Sequence, residues 1–355
     1  MGKTPVCVYT VEELGQYAFG ERHPFSPLRL QTFVEAIKKA ELLPQVEEPS
    51  IELASREDIE LFHRPAYVER VLAASKDGAG FLDNGDTPAF PGVFEAAARV
   101  VGASLNAIER IMSGNNKKCF IPIGGLHHAQ PEAAGGFCVF NDCAVIIEVL
   151  KNRYGLERIA YVDIDAHHGD GVHYPFVGDH QVIIADIHED GEFLYPGTGK
   201  AHERGVGSAT GTKLNIPLPP GADDELFFSA WQKVEQFLRQ EQPQIILFQC
   251  GADGLAGDPI THLRYTEAVH GKSAAALCEL ADELCEGRLL AWGGGGYLME
   301  NVAAAWTEVV KALVVHEKNK LDAMLKDEKL ERAQVSDEVD VPVGGEADVL
   351  ASDDK

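Results

Sequence analysis

The chain has 355 residues, 45% of them hydrophobic, and a formal net charge of −25 at pH 7. This length and composition are typical of a globular protein with one large domain or two smaller ones. No run of about 18 consecutive apolar residues occurs, so we expect no membrane-spanning helix. The negative charge argues against direct binding to nucleic acid, and it permits cationic substrates. The alternative, which we favour over electrostatic steering, is that the charge serves only solubility or adaptation to a salty habitat.

The predicted elements fall into two parts along the chain. The first part is mainly helical, with helices predicted at residues 30–42, 56–62, 65–74 and 92–112. From residue 118 onward, apolar runs that predict strands alternate with amphipathic segments that predict helices. The predicted strands are 119–123, 159–164, 181–187, 244–250 and 289–292, and the predicted helices are 141–154, 223–239, 266–285 and 300–313. This alternation predicts an α/β fold with a central parallel sheet and helices on both faces.

We interpret residues 1–318 as a single domain, because no linker or internal repeat interrupts the alternation. Residues 319–355 lose the apolar periodicity and become acidic, so we expect a frayed helix followed by disorder. The seven cysteines are an odd number and include no CxxC pair. That usage is typical of a reducing compartment, and we expect a cytoplasmic protein.

The most informative stretch is 161–171, which reads Tyr-Val-Asp-Ile-Asp-Ala-His-His-Gly-Asp-Gly. In a strand, Asp163, Asp165 and His167 project on one face. Buried carboxylates are costly unless they are paired or coordinate a metal. We therefore predict that Asp165 and His167 bind a metal and that Asp163 and Asp170 orient nearby groups. The alternative is an acidic loop with solvated histidines.

Four polar clusters follow directly after predicted strands. In an open parallel sheet, ligands bind beyond the carboxyl ends of the strands, so these loops can share one crevice. The clusters occupy residues 124–129, 165–170, 251–259 and 293–297.

The residue types in these loops suit metal-assisted hydrolysis. Asp165, His167 and Asp258 provide three ligands with open positions for water and substrate, as catalytic zinc requires, although Asp253 in the same loop is an equal candidate. Mixed oxygen and nitrogen ligation permits Zn²⁺ or Fe²⁺.

His127 and His128 provide a general base, and the phenol of Tyr297 can donate a hydrogen bond to an oxyanion. The alternatives are that the two histidines are polar residues at a helix start and that Tyr297 only packs against a helix.

Six blocks in order along the chain resemble the zinc-dependent histone deacetylase family, which includes bacterial acetoin-utilisation-type deacetylases and acetylpolyamine amidohydrolases. They are residues 124–129, 135–142, 161–171, 195–199, 251–259 and 293–297. The similarity extends from about residue 9 to residue 313. It implies the arginase-like α/β fold.

The resemblance also implies roles for individual residues. It assigns Asp165, His167 and Asp258 as metal ligands, His128 as the general base and His127 as its electrostatic partner. It pairs Asp163 with His127 and Asp170 with His128, and it gives Tyr297 the task of polarising the acetyl carbonyl. Further positions carried over are Gly136, Phe137 and Tyr195 around the acyl-lysine tunnel, Asp86 and Tyr265 at its rim, and Arg29 in an internal channel.

The family also binds a structural potassium ion through main-chain oxygens of residues 163–167. Asp186 and Ile187 lie where further ligands to this K⁺ are expected.

The leading hypothesis is a metal-dependent deacetylase that hydrolyses N-acetyl-lysine in an acetylated protein or peptide. No acidic gate suited to a free polyamine is evident, but hydrolysis of acetylated polyamines is an alternative. A second alternative is a non-catalytic binder of acyl-lysine. Neither nucleic acid nor a membrane is an expected partner.

Overall fold

The structure is a computed structural model that describes residues 5–20 and 23–337, with the side chains of residues 328–337 left out. Its helices and strands alternate from residue 118 onward. The strands are β1 (Val6–Val8), β2 (Lys118–Ile121), β3 (Ile159–Asp163), β4 (Val182–Glu189), β5 (Lys213–Leu218), β6 (Ile245–Gln249) and β7 (Leu289–Trp292). The helices are α1 (Leu28–Lys39), α2 (Arg56–Ile59), α3 (Pro65–Asp77), α4 (Val93–Met112), α5 (Asp142–Tyr154), α6 (Asp170–His173), α7 (Asp224–Glu241), α8 (Ala268–Leu284) and α9 (Met299–Asp337).

The strands form one parallel sheet in the order β1-β2-β7-β6-β3-β4-β5. The four strands that precede the polar clusters, β2, β7, β6 and β3, are therefore consecutive neighbours in the sheet. Their carboxyl ends lie at the same edge, which brings the four loops together. The predicted α/β class and parallel sheet are confirmed.

The sheet has an apolar core on each face because successive side chains of a strand point to opposite sides. Tyr161 and Leu247 pack in the core formed with α3, α4 and α5. Val162 and Phe248 pack in the other core, formed with α1, α7, α8 and α9. Strands buried on both faces explain why their sequences are nearly continuous apolar runs.

Two edge strands were not predicted from the sequence. β1 has only three residues, and β5 reads Lys-Leu-Asn-Ile-Pro-Leu, which is neither a continuous apolar run nor strictly alternating. Both lie at the edges of the sheet, where Pro217 is tolerated because a full set of ladder hydrogen bonds is not required.

Several helical boundaries also differ from the prediction. α1 ends at Lys39 rather than at residue 42, α2 at Ile59 rather than at residue 62, and α3 at Asp77 rather than at residue 74. α9 continues to Asp337, well beyond the frayed helix expected after residue 319. The extension has many strong helix formers, and Asp322 and Lys326 have the spacing of a favourable ion pair. The disorder expected further along falls on residues 338–355, outside the described residues.

The chain divides into two compact units. The first ends at His316 and contains the whole sheet, and the second begins at Glu317. Within the described residues of the second unit, the chain is the continuation of α9. No described helix is both long enough and apolar enough to cross a membrane.

Candidate active site

Two histidine–carboxylate pairs lie where the loop after β2 meets the loop after β3. His127 Nδ1 is 2.7 Å from Asp163 Oδ2, and His128 Nδ1 is 2.7 Å from Asp170 Oδ1. The Nε2 atoms of the two imidazoles are 3.1 Å apart. All four residues are largely shielded from solvent, so each carboxylate fixes the orientation of its ring.

The two imidazoles have opposite protonation preferences. Burial alone disfavours a charged His127, but the charges of Asp163 and Asp165 outweigh it and raise the pKa of His127 to about 9. Burial and the charge of His127 lower the pKa of His128 to about 4. At neutral pH, His128 is therefore a neutral imidazole beside an imidazolium. A neutral imidazole held by a carboxylate is suited to act as a general base.

Two carboxylates and one imidazole converge next to these pairs. Asp165, His167 and Asp253 have one potential ligand atom each within 4.8 Å of one another, the one such group of three or more found in the described part of the chain. His167 Nδ1 lies 3.1 Å from Asp165 Oδ1 and 3.0 Å from Asp253 Oδ2. These are donor types that Zn²⁺ or Fe²⁺ accepts, so the residues present fit a divalent metal.

The third member of this group differs from the sequence assignment, which gave Asp258 in place of Asp253. Asp258 is 7% exposed, and its Oδ2 accepts the backbone N–H of Tyr297 at 2.8 Å. Burial raises its pKa, and the charges of Asp165 and His167 also act on it. Asp258 therefore borders the group without belonging to it, and its role as a ligand stays a prediction.

Tyr297 lies beside these carboxylates at the start of the segment leading into α9. Burial raises its pKa well above the ordinary value, and the charges of Asp253 and Asp165 act in the same direction. The phenol therefore keeps its proton at neutral pH and remains a hydrogen-bond donor. Its ring packs edge-to-face on Phe137 at 5.8 Å between centroids.

Two aromatic residues frame the approach to the histidines. The ring of Tyr195 lies 5.1 Å from that of His128 and is 46% exposed, while Phe137 is partly buried. A Cβ atom at Gly136 would come within 2.4 Å of His128 Cδ2, so only glycine fits beside this ring. Gly136 and Tyr195 therefore lie beside His128, and Phe137 lies beside Tyr297; their role as a substrate tunnel stays a prediction.

The two predicted rim residues have different surroundings. Asp86 is exposed as a residue, but partial desolvation of its carboxyl, together with the contact to Asp83, raises the pKa of this carboxyl to about 6. Tyr265 is only 1% exposed and packs on Phe227, with 5.0 Å between ring centroids. The rim position predicted for Tyr265 is therefore wrong, because its ring turns into the core below the loop. The apolar packing on Phe227 outweighs the exposure expected of a loop residue.

Arg29 and the predicted potassium ligands lie behind the site. The guanidinium of Arg29 is fully buried and donates to the carbonyl oxygens of Gly294 and Gly296 at 2.5 and 2.9 Å. Asp186 pairs in register with Asp163, and its Oδ2 accepts the N–H of Gly169 at 2.9 Å.

Two residues that hold the site together were missed from the sequence. Asp142 accepts hydrogen bonds from the N–H groups of Gly125 and Leu126 and thereby fixes the loop that carries the histidines. Gln249 donates from Nε2 to Asp165 Oδ2 at 2.8 Å. The only available signal was that each polar residue interrupts or borders an apolar segment.

Histidines that have no partner pattern in the sequence also acquire partners in the structure. His188 Nδ1 lies 2.6 Å from Asp186 Oδ1. His270 Nε2 lies 2.8 Å from the carbonyl oxygen of Gly251, in the loop that carries Asp253. Both histidines are fully buried, and their contacts with Asp186 and Gly251 support the residues around the site.

The chain matches the family profile described as "Histone deacetylase domain" over residues 23–313. It is 36% identical to the acetoin utilization protein AcuC of Staphylococcus xylosus over 327 residues, covering 88% of this chain and 83% of that protein. It is 35% identical to AcuC of Bacillus subtilis (strain 168) over 302 residues, covering 82% of this chain and 78% of that protein.

Among solved structures, the fold resembles the crystal structure of the HDA15 HD domain. The TM-score is 0.80 at 25% sequence identity, and the match covers 89% of this chain and 90% of that one. The fold is therefore the α/β deacetylase fold, and the parallel sheet and its loops belong to it. A family profile that spans most of the chain, together with these relatives, identifies the protein as a member of the histone deacetylase family of hydrolases.

Proposed function

We propose that the protein is a metal-dependent deacetylase that hydrolyses the amide of N-acetyl-lysine in proteins or peptides, giving lysine and acetate. The observation that carries the proposal is the arrangement of His127 and His128, each held by a carboxylate, beside the group formed by Asp165 and His167. A binder of acyl-lysine would not need two oriented imidazoles with opposite protonation states.

Asp165 and His167 would hold the metal, with a third carboxylate from the loop after β6. We assign this third ligand to Asp258, the carboxylate that the family resemblance implies. Asp253 Oδ1 accepts the N–H of Ala166 and its Oδ2 faces His167, as for a group that orients a ligand. When bound, zinc or Fe²⁺ supplies Lewis acidity that lowers the pKa of water and polarises a carbonyl group. We also propose that a structural K⁺ binds near Asp163 and Asp186.

The proton transfers belong to His128, and His127 assists them through its charge. His128 is neutral, so its Nε2 accepts a proton from the water that attacks the acetyl carbon, while Asp170 holds its Nδ1–H. The same nitrogen then returns the proton to the departing lysine amine. His127 is charged and, through Asp163, keeps its ring oriented towards His128, where its positive charge stabilises the negative charge developing on the substrate.

Tyr297 donates its phenolic proton in a hydrogen bond to the acetyl oxygen as negative charge develops there. Its raised pKa keeps the donor available at neutral pH. Such a preorganised donor contributes roughly 3 kcal/mol to transition-state stabilisation in comparable sites.

The substrate would enter between Phe137 and Tyr195, whose rings suit the aliphatic stem of an acyl-lysine side chain. Asp86 lies at the entrance, where a carboxylate can accept hydrogen bonds from the backbone N–H groups of a peptide. This feature favours a peptide over a free polyamine. All seven cysteines are free and buried, which suits the reducing cytoplasm in which we place the enzyme.

The proposal is tested by loading the purified protein with Zn²⁺ or Fe²⁺ and measuring acetate release from acetyl-lysine peptides, acetylputrescine and acetylspermidine. We expect hydrolysis of the peptides that is abolished by a chelator. We also expect a loss of kcat of roughly 100- to 1,000-fold in Tyr297→Phe. Turnover of the polyamines alone would contradict the proposed substrate. Binding of the peptides without release of acetate would contradict the proposed hydrolase activity.

A further inference from the structure

A tight two-residue turn carries the aromatic wall on which the proposed substrate tunnel depends. Gly135 and Cys138 exchange both backbone hydrogen bonds, at 3.1 and 2.8 Å, and enclose Gly136 and Phe137. Both enclosed residues have positive φ, 52° for Gly136 and 67° for Phe137. This is the pattern of a type I′ hairpin turn, in which both central positions favour glycine, asparagine or aspartate.

Phe137 is therefore an unfavourable residue for the conformation that it adopts. A large side chain in the left-handed region is strained, and such strain persists only where surrounding contacts determine the conformation. The ring itself makes edge contacts with His23 at 4.6 Å and with Tyr297 at 5.8 Å between centroids. The turn thus directs the ring towards the proposed carbonyl-polarising phenol.

Two side chains outside the turn hold the backbone of Phe137 on both sides. The N–H of Phe137 donates to Thr87 Oγ1 at 3.1 Å, and the hydroxyl of Tyr17 donates to the carbonyl oxygen of Phe137 at 2.7 Å. The hydroxyl oxygen of Tyr17 also accepts the N–H of Val139 at 2.9 Å. Thr87 and Tyr17 are both buried, so water does not compete for these hydrogen bonds.

Thr87 also joins the turn to the loop that carries Asp86. Its hydroxyl proton is donated to Asp83 Oδ2 at 2.5 Å, which leaves the oxygen lone pairs to accept from Phe137. Asp83 Oδ1 in turn accepts the N–H groups of Gly85, Asp86 and Thr87. A continuous chain of hydrogen bonds therefore connects the entrance loop with the backbone of the tunnel wall.

We propose that Thr87 and Tyr17 are positioning residues that clamp Phe137 in its left-handed conformation and thereby set the width of the tunnel. This inference rests on the proposed deacetylase function for its consequence, which is discrimination between acetyl-lysine and lysine with longer acyl groups. Without the clamp, the turn relaxes towards conformations that a phenylalanine prefers. The ring of Phe137 then moves away from Tyr297, where the acyl group would bind, and no longer limits the length of that group.

The test compares Thr87→Val, which keeps the shape and removes the hydroxyl, with Thr87→Ser, which restores it, and with Tyr17→Phe. In Thr87→Val and Tyr17→Phe, we expect the ratio of kcat/KM for acetyl-lysine over butyryl-lysine peptides to fall about fivefold, as for the loss of one hydrogen bond. Thr87→Ser should keep the ratio of the unmodified protein. KM should change more than kcat.

Tyr67→Phe is the matched control, because the Tyr67 hydroxyl donates to the carbonyl oxygen of Val139 at 2.7 Å, two residues beyond Phe137. It loses a buried hydrogen bond of the same kind but should leave the acyl-selectivity ratio unchanged. Equal loss of selectivity in Tyr17→Phe and Tyr67→Phe would overturn the proposal, since a general loosening would then account for both.

Hydrogen exchange of the 135–139 segment tests the clamp without any catalysis. Its amides should exchange faster in Thr87→Val than in Thr87→Ser, and equal exchange in the two would overturn the clamp. Absence of all hydrolysis by the unmodified protein would instead refute the deacetylase function, while the exchange result would still decide whether the clamp exists. Faster exchange with unaltered selectivity in an active enzyme would overturn the role in specificity.

Discussion

Asp253 and Asp258 share one loop but have different partners, and at the scale of single residues we propose that this difference distinguishes a supporting group from a ligand. Asp253 accepts the N–H of Ala166 and faces His167, whereas the two oxygens of Asp258 accept only backbone N–H groups, from Ile260 and Tyr297. We expect Asp258→Asn to weaken Zn²⁺ binding by more than about 100-fold and Asp253→Asn by about 10- to 100-fold, as for a group that orients a ligand. Competition with a chromogenic chelator measures both.

The reverse order of the two affinities would assign the third ligand to Asp253 and refute Asp258. Asp86→Asn is a suitable control, because this carboxylate is exposed and lies outside the group of Asp165, His167 and Asp253, so metal affinity should stay unchanged.

The coupling between His127 and His128 predicts a specific change in the pH dependence of kcat/KM. The charge of His127 is one cause of the low pKa of His128, about 4, and activity requires neutral His128. Activity should therefore be lost as pH falls through the pKa of His128. In His127→Gln the neighbouring charge is absent, so that pKa rises and the acidic limb moves to higher pH. Both pH profiles of kcat/KM are measured with the same acetyl-lysine peptide. An acidic limb at the same pH in His127→Gln and in the unmodified protein would contradict the coupling.

At the scale of secondary-structure elements, the sequence predicts most clearly those strands that are buried on both faces. β3, β6 and β7 are continuous apolar runs, and their observed bounds lie within one residue of the predicted ones. The edge strands β1 and β5 were missed because an edge needs no such run. The loops could be predicted to converge, since their strands end in the same kind of polar cluster.

The residues that anchor these loops could not be predicted, because each depends on a contact made only after folding. Asp142 lies 16 residues from Leu126, and Gln249 lies 84 residues from Asp165. Neither has a local pattern that distinguishes it from a polar residue at a helix start or a strand end. The choice between Asp253 and Asp258 is open for the same reason: spacing within a loop does not determine which carboxylate turns inward.

The anchor at the start of α5 predicts a joint loss of stability and activity. The buried carboxylate of Asp142 accepts the N–H groups of Gly125 and Leu126 and the hydroxyl of Ser104. Asp142→Asn replaces one acceptor oxygen by a donor, so we expect a loss of about 1–3 kcal/mol in the free energy of unfolding. Urea denaturation measures it, and kcat should fall because the loop carries His127 and His128.

Ser104→Ala is the matched control for kcat, because it removes one of the three donors and leaves both backbone contacts of Asp142 intact. It also removes the acceptor of Trp292 Nε1, at 2.9 Å, so it should lose stability as well, but kcat should stay nearly unchanged. Equal loss of kcat in the two variants would contradict the prediction that Asp142 supports catalysis by fixing the loop with His127 and His128.

At the scale of the whole molecule, the net charge of −25 creates a field that a substrate would meet before it reached the proposed tunnel. Some of this charge lies at the entrance: Asp83 and Asp86 both act on the hydroxyl of Tyr195. A field of one sign around a cleft raises the local concentration of oppositely charged ligands, and salt reduces this effect because the screening length is about 10 Å at 0.1 M ionic strength.

This field predicts a dependence on salt that differs with the sequence around the acetyl-lysine. Between roughly 0.02 and 0.3 M NaCl, kcat/KM should fall several-fold for a peptide with flanking lysines and arginines, stay nearly constant for a neutral peptide and rise for an acidic one. Initial rates with zinc-loaded protein measure all three. An equal response of the three peptides would mean that the charge serves solubility rather than substrate capture, since only a long-range interaction with the peptide can separate them.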